Sequence, residues 1–296
     1  MITGIGISTL DHFMTVDSFH GDEGTYAADS YNIEGGGVAA TAMCAAAKLG
    51  SETRLISRVG DDVNGQHILE RLKTFNIDTS HVRVLPGVES VTCFILVEKD
   101  TGEKQFYLKK PYDVFEQSVT VDDNVFDGTT VMLIDGQDPE TSLQGLKWAK
   151  KHDVPVIGDF KRHYPGLDTL MPYITHLIIP EFFAAKLTGE TSEEQILESA
   201  ESMINGIAVL TQGSRGGMYL DDGDVRRYPV FPVDVVDSTG AGDAFHGVFC
   251  HFLDEGQPLE ILLKYASAAG AMNCRKMGGR AGLPGRDELE EMIRRN

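Results

Sequence analysis

Basic residues are scarce in this chain of 296: 26 Lys and Arg stand against 45 Asp and Glu, a formal net charge of −19. A nucleic-acid binder normally presents a basic face, so that class is excluded, as is docking on an anionic membrane surface. Long apolar runs are missing too. The most apolar stretch, residues 38–47, falls far short of the ~18 residues a membrane span needs. The opening Met1-Ile2-Thr3-Gly4-Ile5 lacks a basic n-region and Asp11 interrupts the apolar stretch after it, so no signal peptide is expected. Cysteine is sparse. Cys44, Cys93, Cys250 and Cys274 form no C-x-x-C pair and no zinc spacing, and read as small buried hydrophobes of a cytoplasmic protein. His246 and His251 lie off a shared helix face, which argues against a metal site there. Two phosphate-binding fingerprints are also absent. No Gly-Lys dipeptide occurs, hence no P-loop, and Gly4-Ile5-Gly6 does not continue as G-x-G-x-x-G.

What the chain has instead is glycine, 32 residues of it, set in an alternation of strand and helix patterns. Buried strands are expected at 2–8, 53–57, 131–134, 154–158, 176–179 and 207–211. Helices are expected at 38–49, 64–74, 140–151, 240–253 and 259–274. Such alternation predicts one α/β domain spanning 1–296, a doubly wound, mainly parallel sheet with helices on both faces. Residues 13–34 and 91–109 break the rhythm with apolar–polar alternation and a turn at Asp100-Thr101-Gly102. They read as a small β element inserted at about 12–34 and 91–110, with an edge hairpin on the main sheet as the competing reading.

In an open parallel sheet, ligands sit beyond the carboxyl ends of the strands. Three predicted strands run into Asp11, Asp135 and Asp159, where a carboxylate either accepts from substrate hydroxyls or caps a helix. The strongest local signal is Val235-Val236-Asp237-Ser238-Thr239-Gly240-Ala241-Gly242-Asp243. An apolar strand is expected to end at Asp237, followed by a small-residue turn and a helix. Phe245, Val248, Phe249 and Phe252 mark that helix's buried face. Amides of Gly240, Ala241 and Gly242 at the helix N-terminus suit an approaching phosphate. Asp243 would compete with that anion if it only capped the dipole, so a role as base toward an acceptor hydroxyl fits better. Gly35-Gly36-Gly37 opens the Ala-rich helix, and Thr211-Gln212-Gly213 ends a strand where a nucleotide could lie.

On these residues the chain resembles the PfkB, or ribokinase-like, family of carbohydrate kinases over essentially its whole length. Gly35 to Ala42, Phe245-His246-Gly247 and Gly278 to Pro284 look most like its sulfofructose kinase branch. The resemblance implies ATP-dependent phosphorylation of a sugar hydroxyl in a ribokinase-like fold with a β-sheet lid. It implies Asp243 as catalytic base, with Gly240, Ala241 and Gly242 as the anion hole. It further implies Asp11, Gly36 and Gly37 on the sugar, and Thr211, Gly213, Asp237 and Asn273 at the nucleotide. Mg²⁺ and a monovalent cation, K⁺, are the expected ions, and a homodimer through the lid is the expected assembly. The sequence departs from the family in three places. Ala40 stands where Asn is usual, and Lys161 where many members carry Asn. The Asn-x-x-Glu positions fall on Pro180 and Phe183, leaving Glu181 as the nearest carboxylate for the metal. These departures leave Lys109, Lys110, Lys161 and Arg162 near strand ends, where some could meet an anionic group on the sugar. A nucleoside kinase of the same fold, or a catalytically silent sugar- or nucleotide-binding protein, are the alternatives.

Overall fold

The computed structural model describes residues 1–109, 114 and 121–295; Lys110, one of the lysines expected near the substrate, falls outside them. The strands are β1 (Ile2–Ile5), β2 (Thr9–Val16), β3 (Ser30–Gly36), β4 (Thr53–Gly60), β5 (Val82–Leu85), β6 (Thr92–Glu98), β7 (Lys104–Leu108), β8 (Val131–Ile134), β9 (Val156–Gly158), β10 (His176–Pro180), β11 (Ile207–Thr211), β12 (Gly217–Asp221) and β13 (Asp224–Tyr228). The helices are α1 (Val38–Lys48), α2 (Val63–Lys73), α3 (Pro139–Lys151), α4 (Leu167–Leu170), α5 (Glu181–Thr188), α6 (Glu193–Ser202), α7 (Ala241–Asp254), α8 (Leu259–Asn273) and α9 (Arg286–Arg295).

Nine strands make one sheet in the order β13-β12-β11-β10-β9-β8-β1-β4-β5. It is parallel except for the β12 and β13 edge, which runs back as a hairpin. β1 and β8 are buried at every position, the consequence of helices covering both faces. One apolar cluster packs α1, α7 and α8 on one face; the other packs α3, α5 and α6 on the opposite face. Local chemistry starts several of these helices. Asp62 caps α2 by accepting from Gly65 N–H at 2.9 Å, Asp138 caps α3 with Pro139 in its first turn, and Ser192 caps α6. Chain order reverses between β1 and β8: β4 and β5 extend one way, β8 to β11 the other. A crevice opens at such a switch point.

The rhythm-breaking stretches form a separate antiparallel-edged sheet, β3-β2-β6-β7, and not an extension of the main one. Its register puts Phe13, Cys93, Ile95 and Val97 on one face and Tyr31, Phe94 and Tyr107 on the other. Two sequence expectations need correction. Asp11 lies inside β2, not at the end of β1, because the chain bends at Gly6 and starts a second strand. Val235 and Val236 form no strand; they are exposed, and Val236 and Asp237 N–H donate to the Cys274 carbonyl. No helix among the described residues is long and apolar enough to cross a membrane.

Candidate active site

A cavity of about 940 Å³ opens over the carboxyl ends of the main strands and is roofed by the small sheet. Ile7 after β1, Gln137 after β8, Lys161 after β9, Glu181 after β10 and Thr211 at the end of β11 form its floor. Asp11, Cys93, Ile95, Lys104 and Phe106 reach it from the small sheet, and residues 238–243 close one side. The expected site residues Asp11, Gly37, Lys161, Glu181, Thr211, Gly213, Gly240, Ala241, Gly242 and Asp243 all line this one space. They come from widely separated parts of the sequence.

The turn before α7 leaves backbone amides open to the cavity. Gly240 takes a φ of 73°, and a side chain there would also press on the Gly279 backbone. Ala241 N–H donates to Ser238 O at 3.3 Å, whereas the N–H groups of Gly240, Gly242 and Asp243 find no acceptor among the described residues. A Cβ on Gly242 would meet nothing within 4 Å, so glycine there keeps the space above the helix open. Beneath the turn, Asp237 and Asn273 do the holding. Asp237 accepts from Thr239 N–H at 2.9 Å, Gly278 N–H at 2.8 Å and Lys104 Nζ at 2.7 Å. Asn273 Nδ2 donates to Thr239 O at 3.0 Å and Gly279 O at 3.2 Å. The sequence places both at the nucleotide; both are buried under the turn and off the cavity wall.

Three carboxylates line the space: Asp11, Glu181 and Asp243. Asp11 accepts from Thr9 Oγ1 at 2.6 Å. Burial, opposed by that hydrogen bond and by Arg280, pushes its carboxyl up to about 6. Gly36 is not on the wall; any side chain there would land on Asp11, so its glycine makes room for that carboxylate. Asp243 pairs with Lys161 Nζ. Its carboxyl is raised, burial being the largest cause, with Lys161 pulling it down and Asp159 pushing it up. Asp135, at the end of β8, is fully buried and accepts from Ile7, Ala39 and Gln137 N–H; it caps α1 and does not meet the cavity. Lys109 is displaced from its expected place: it pairs with exposed Glu89 at the surface and does not line the cavity. Arg162 also lies off this wall, stacked over Tyr164 at 5.1 Å.

The ions expected with the family find little of their own here. Among the described residues no group of three or more His, Cys, Asp or Glu could hold a metal. Glu181 faces the cavity, but its carboxylate is engaged by Arg215 and by Gln212 Nε2 at 3.0 Å. Asp237 is saturated by Lys104, Thr239 and Gly278. Lys104 itself carries no signal in the sequence, since nothing local marks a lysine in a strand as a partner for a distant turn.

An open glycine turn at a helix N-terminus, a carboxylate one residue on, and a second carboxylate across the same cavity are the parts of a phosphoryl-transfer enzyme acting on a hydroxyl. The chain belongs to the pfkB family of carbohydrate kinases, whose family model matches residues 1–286. It is therefore a phosphotransferase of the sugar and nucleoside kinase group. It is 28% identical over 300 residues to a ribokinase of Bacillus subtilis, covering 98% of each chain. A candidate ribokinase structure from Agrobacterium tumefaciens superposes with a TM-score of 0.93 at 29% identity, over 99% of this chain and 97% of that one. The Arabidopsis thaliana ribokinase solved with ribose and ATP shares the fold, with a TM-score of 0.83 at 23% identity, over 99% and 98%.

Proposed function

We propose that this enzyme transfers the γ-phosphoryl group of ATP to a hydroxyl of a neutral sugar. The observation that carries the reading is Asp243, whose carboxylate faces the cavity at the first turn of α7, beside open amides and across from Asp11. ATP lies along Thr211, Gly213 and the 238–242 turn, with its γ-phosphoryl over the Gly240, Gly242 and Asp243 N–H groups. The sugar sits between Asp11, Gly37 and the small sheet, which acts as a lid and excludes water. Asp243 takes the hydroxyl proton while the amides receive the charge that develops on the phosphoryl oxygens. Mg²⁺ would supply neutralisation of the phosphate charge, with Glu181 the nearest carboxylate on the cavity wall. The cations of the cavity favour a neutral acceptor over a sulfonated or phosphorylated one: Lys104 is committed to Asp237 and Lys161 to Asp243.

The lid's outer face carries Tyr31, Phe94 and Tyr107, exposed, with His12 stacked on Phe94 at 4.8 Å. A second copy of the chain covering this face is the assembly it supports. The reading implies a compartment that supplies ATP, the cytoplasm. A coupled ADP-release assay across aldoses, ketoses, sulfosugars and nucleosides tests the reaction, with Asp243→Asn beside the parent. The variant should lose about 10²–10⁴-fold in kcat, the usual span of a general base, with ATP affinity unchanged. Near-normal kcat would refute the assignment of Asp243, and a purine nucleoside as best acceptor would replace the sugar.

A further inference from the structure

Behind Asp243 lies a second carboxylate that takes no part in the proton and phosphoryl transfers. Asp159 follows β9 directly and is 1% exposed. Neither of its carboxylate oxygens has a hydrogen-bond partner of good geometry. Oδ1 lies 4.0 Å from Lys161 Nζ, and Oδ2 lies 3.1 Å from His246 Nδ1. Lys161 thus stands between two carboxylates, in hydrogen-bond contact with Asp243 and ion-pair contact with Asp159. His246, one turn after Asp243 on α7, is pinned at both ring nitrogens. Nδ1 lies 2.6 Å from Gly242 O and Nε2 lies 2.9 Å from Ile178 O, which fixes the wall against which Asp159 rests.

A carboxylate buried without hydrogen bonds is costly unless nearby charge compensates it. In a merely structural position it would have been capped by backbone N–H groups, as Asp135 is one strand away. We infer that Asp159 is a positioning residue for the phosphoryl transfer proposed above, acting through Lys161. In the resting site Lys161 orients the Asp243 carboxylate toward the acceptor hydroxyl. During transfer the hydroxyl proton passes to Asp243 and the acceptor oxygen bonds to the γ-phosphorus. The bond from that phosphorus to the bridging oxygen breaks, its electron pair leaving with ADP. Asp243 is then neutral and its hold on Lys161 weakens. Asp159, in ion-pair contact with Lys161, keeps the ammonium in the site, so that it returns to Asp243 when the proton leaves. Asp159 and Lys161 exchange no proton themselves.

The groups facing Asp243 are Lys161 and Asp159 from the β9 end, His246 from α7 and Asp11 from β2. The charge of Asp159 raises the Asp243 carboxyl and that of Lys161 lowers it, so the two removals move its titration in opposite directions. The test follows the Asp243 carboxyl carbon by NMR in ¹³C-aspartate-labelled protein, assigned with Asp243→Asn, alongside kcat against pH. Asp159→Asn should move both the titration and the acid limb of kcat to lower pH. It should lower kcat by roughly ten- to a hundredfold through misplacement of the base, with the acceptor KM little changed. Lys161→Met should move them to higher pH, and Lys161→Arg should hold them near the parent. An Asp159→Asn protein with parental kcat and an unmoved titration overturns the inference and leaves the reading of Asp243 intact. Near-normal kcat in Asp243→Asn overturns that reading instead. Should Asp159→Asn fail to fold, the Lys161 pair decides: equal titrations in Met and Arg variants overturn the inference, and a shift confined to Met supports it.

Discussion

Strands β1 and β8 are buried along their whole length between two apolar clusters, whereas β7 is exposed over most of its own. Among the described residues the small sheet is not sandwiched between helices as the large one is: α2 packs chiefly against its β2 and β3. Its interior is four side chains, Phe13, Cys93, Ile95 and Val97, with Met277 against them. A single sheet with so little core cannot stand alone, so it is ordered by what it touches across the cavity. Lys104 makes the most specific of those contacts. It reaches from β7 to Asp237, Ser238 Oγ at 2.8 Å and Thr239 Oγ1 at 3.2 Å. The large sheet is thus a rigid platform that places strand ends, and the small one is a tethered cover whose tether ends on the glycine turn before α7.

Gly247→Ala strikes the platform and should have the largest effect. Alanine usually stabilises a helix interior, but here its Cβ would collide with the Ala42 carbonyl, where α1 and α7 run close together. A loss of roughly 1–3 kcal/mol in denaturant unfolding is expected, the usual cost of overpacking; an unchanged midpoint would mean that α1 and α7 can part freely. Lys104→Ala strikes the tether. Stability should fall by roughly 1–3 kcal/mol, since buried Asp237 loses its cation, while the nucleotide KM rises roughly tenfold, about what a charge-assisted hydrogen bond contributes. A fall in stability with unchanged KM would make Lys104 a strut and not a tether. Phe94→Lys strikes only the outer face of the cover. If the proposed pairing through this face holds, sedimentation should show it lost with kcat within about twofold of the parent; a parental sedimentation profile would remove that face as the contact.

The same contrast separates what local pattern reveals from what it hides. Helix α7 announces itself, because Phe245, Val248, Phe249 and Phe252 share one face and the Ser238–Gly242 run supplies the turn that starts it. β8 and β11 have the bounds expected from their apolar runs. β5 is hidden, since as an edge strand it is buried only at its two ends over four positions. Asp237 and Asn273 fall in the expected neighbourhood, where they hydrogen-bond the backbone beneath the turn. Residue type marks a polar partner, whereas the layer a side chain lies in decides which partner it meets. Lys109 goes astray because Glu89, beside it in space, is 20 residues away in sequence.

Local pattern alone determined the α/β alternation, the glycine turn before α7 and the candidacy of Asp243, because each rests on neighbours within a turn or a strand. Which charges meet was decided only by the tertiary structure. Lys161 and Asp243 are 82 residues apart, and Lys104 and Ser238 are 134 apart. Their contacts exist because strand order reverses between β1 and β8, which brings the end of β9 and the α7 turn to one crevice that the small sheet covers with β7. Ion pairing depends on distance and dielectric, and no property of the chain between two residues fixes either.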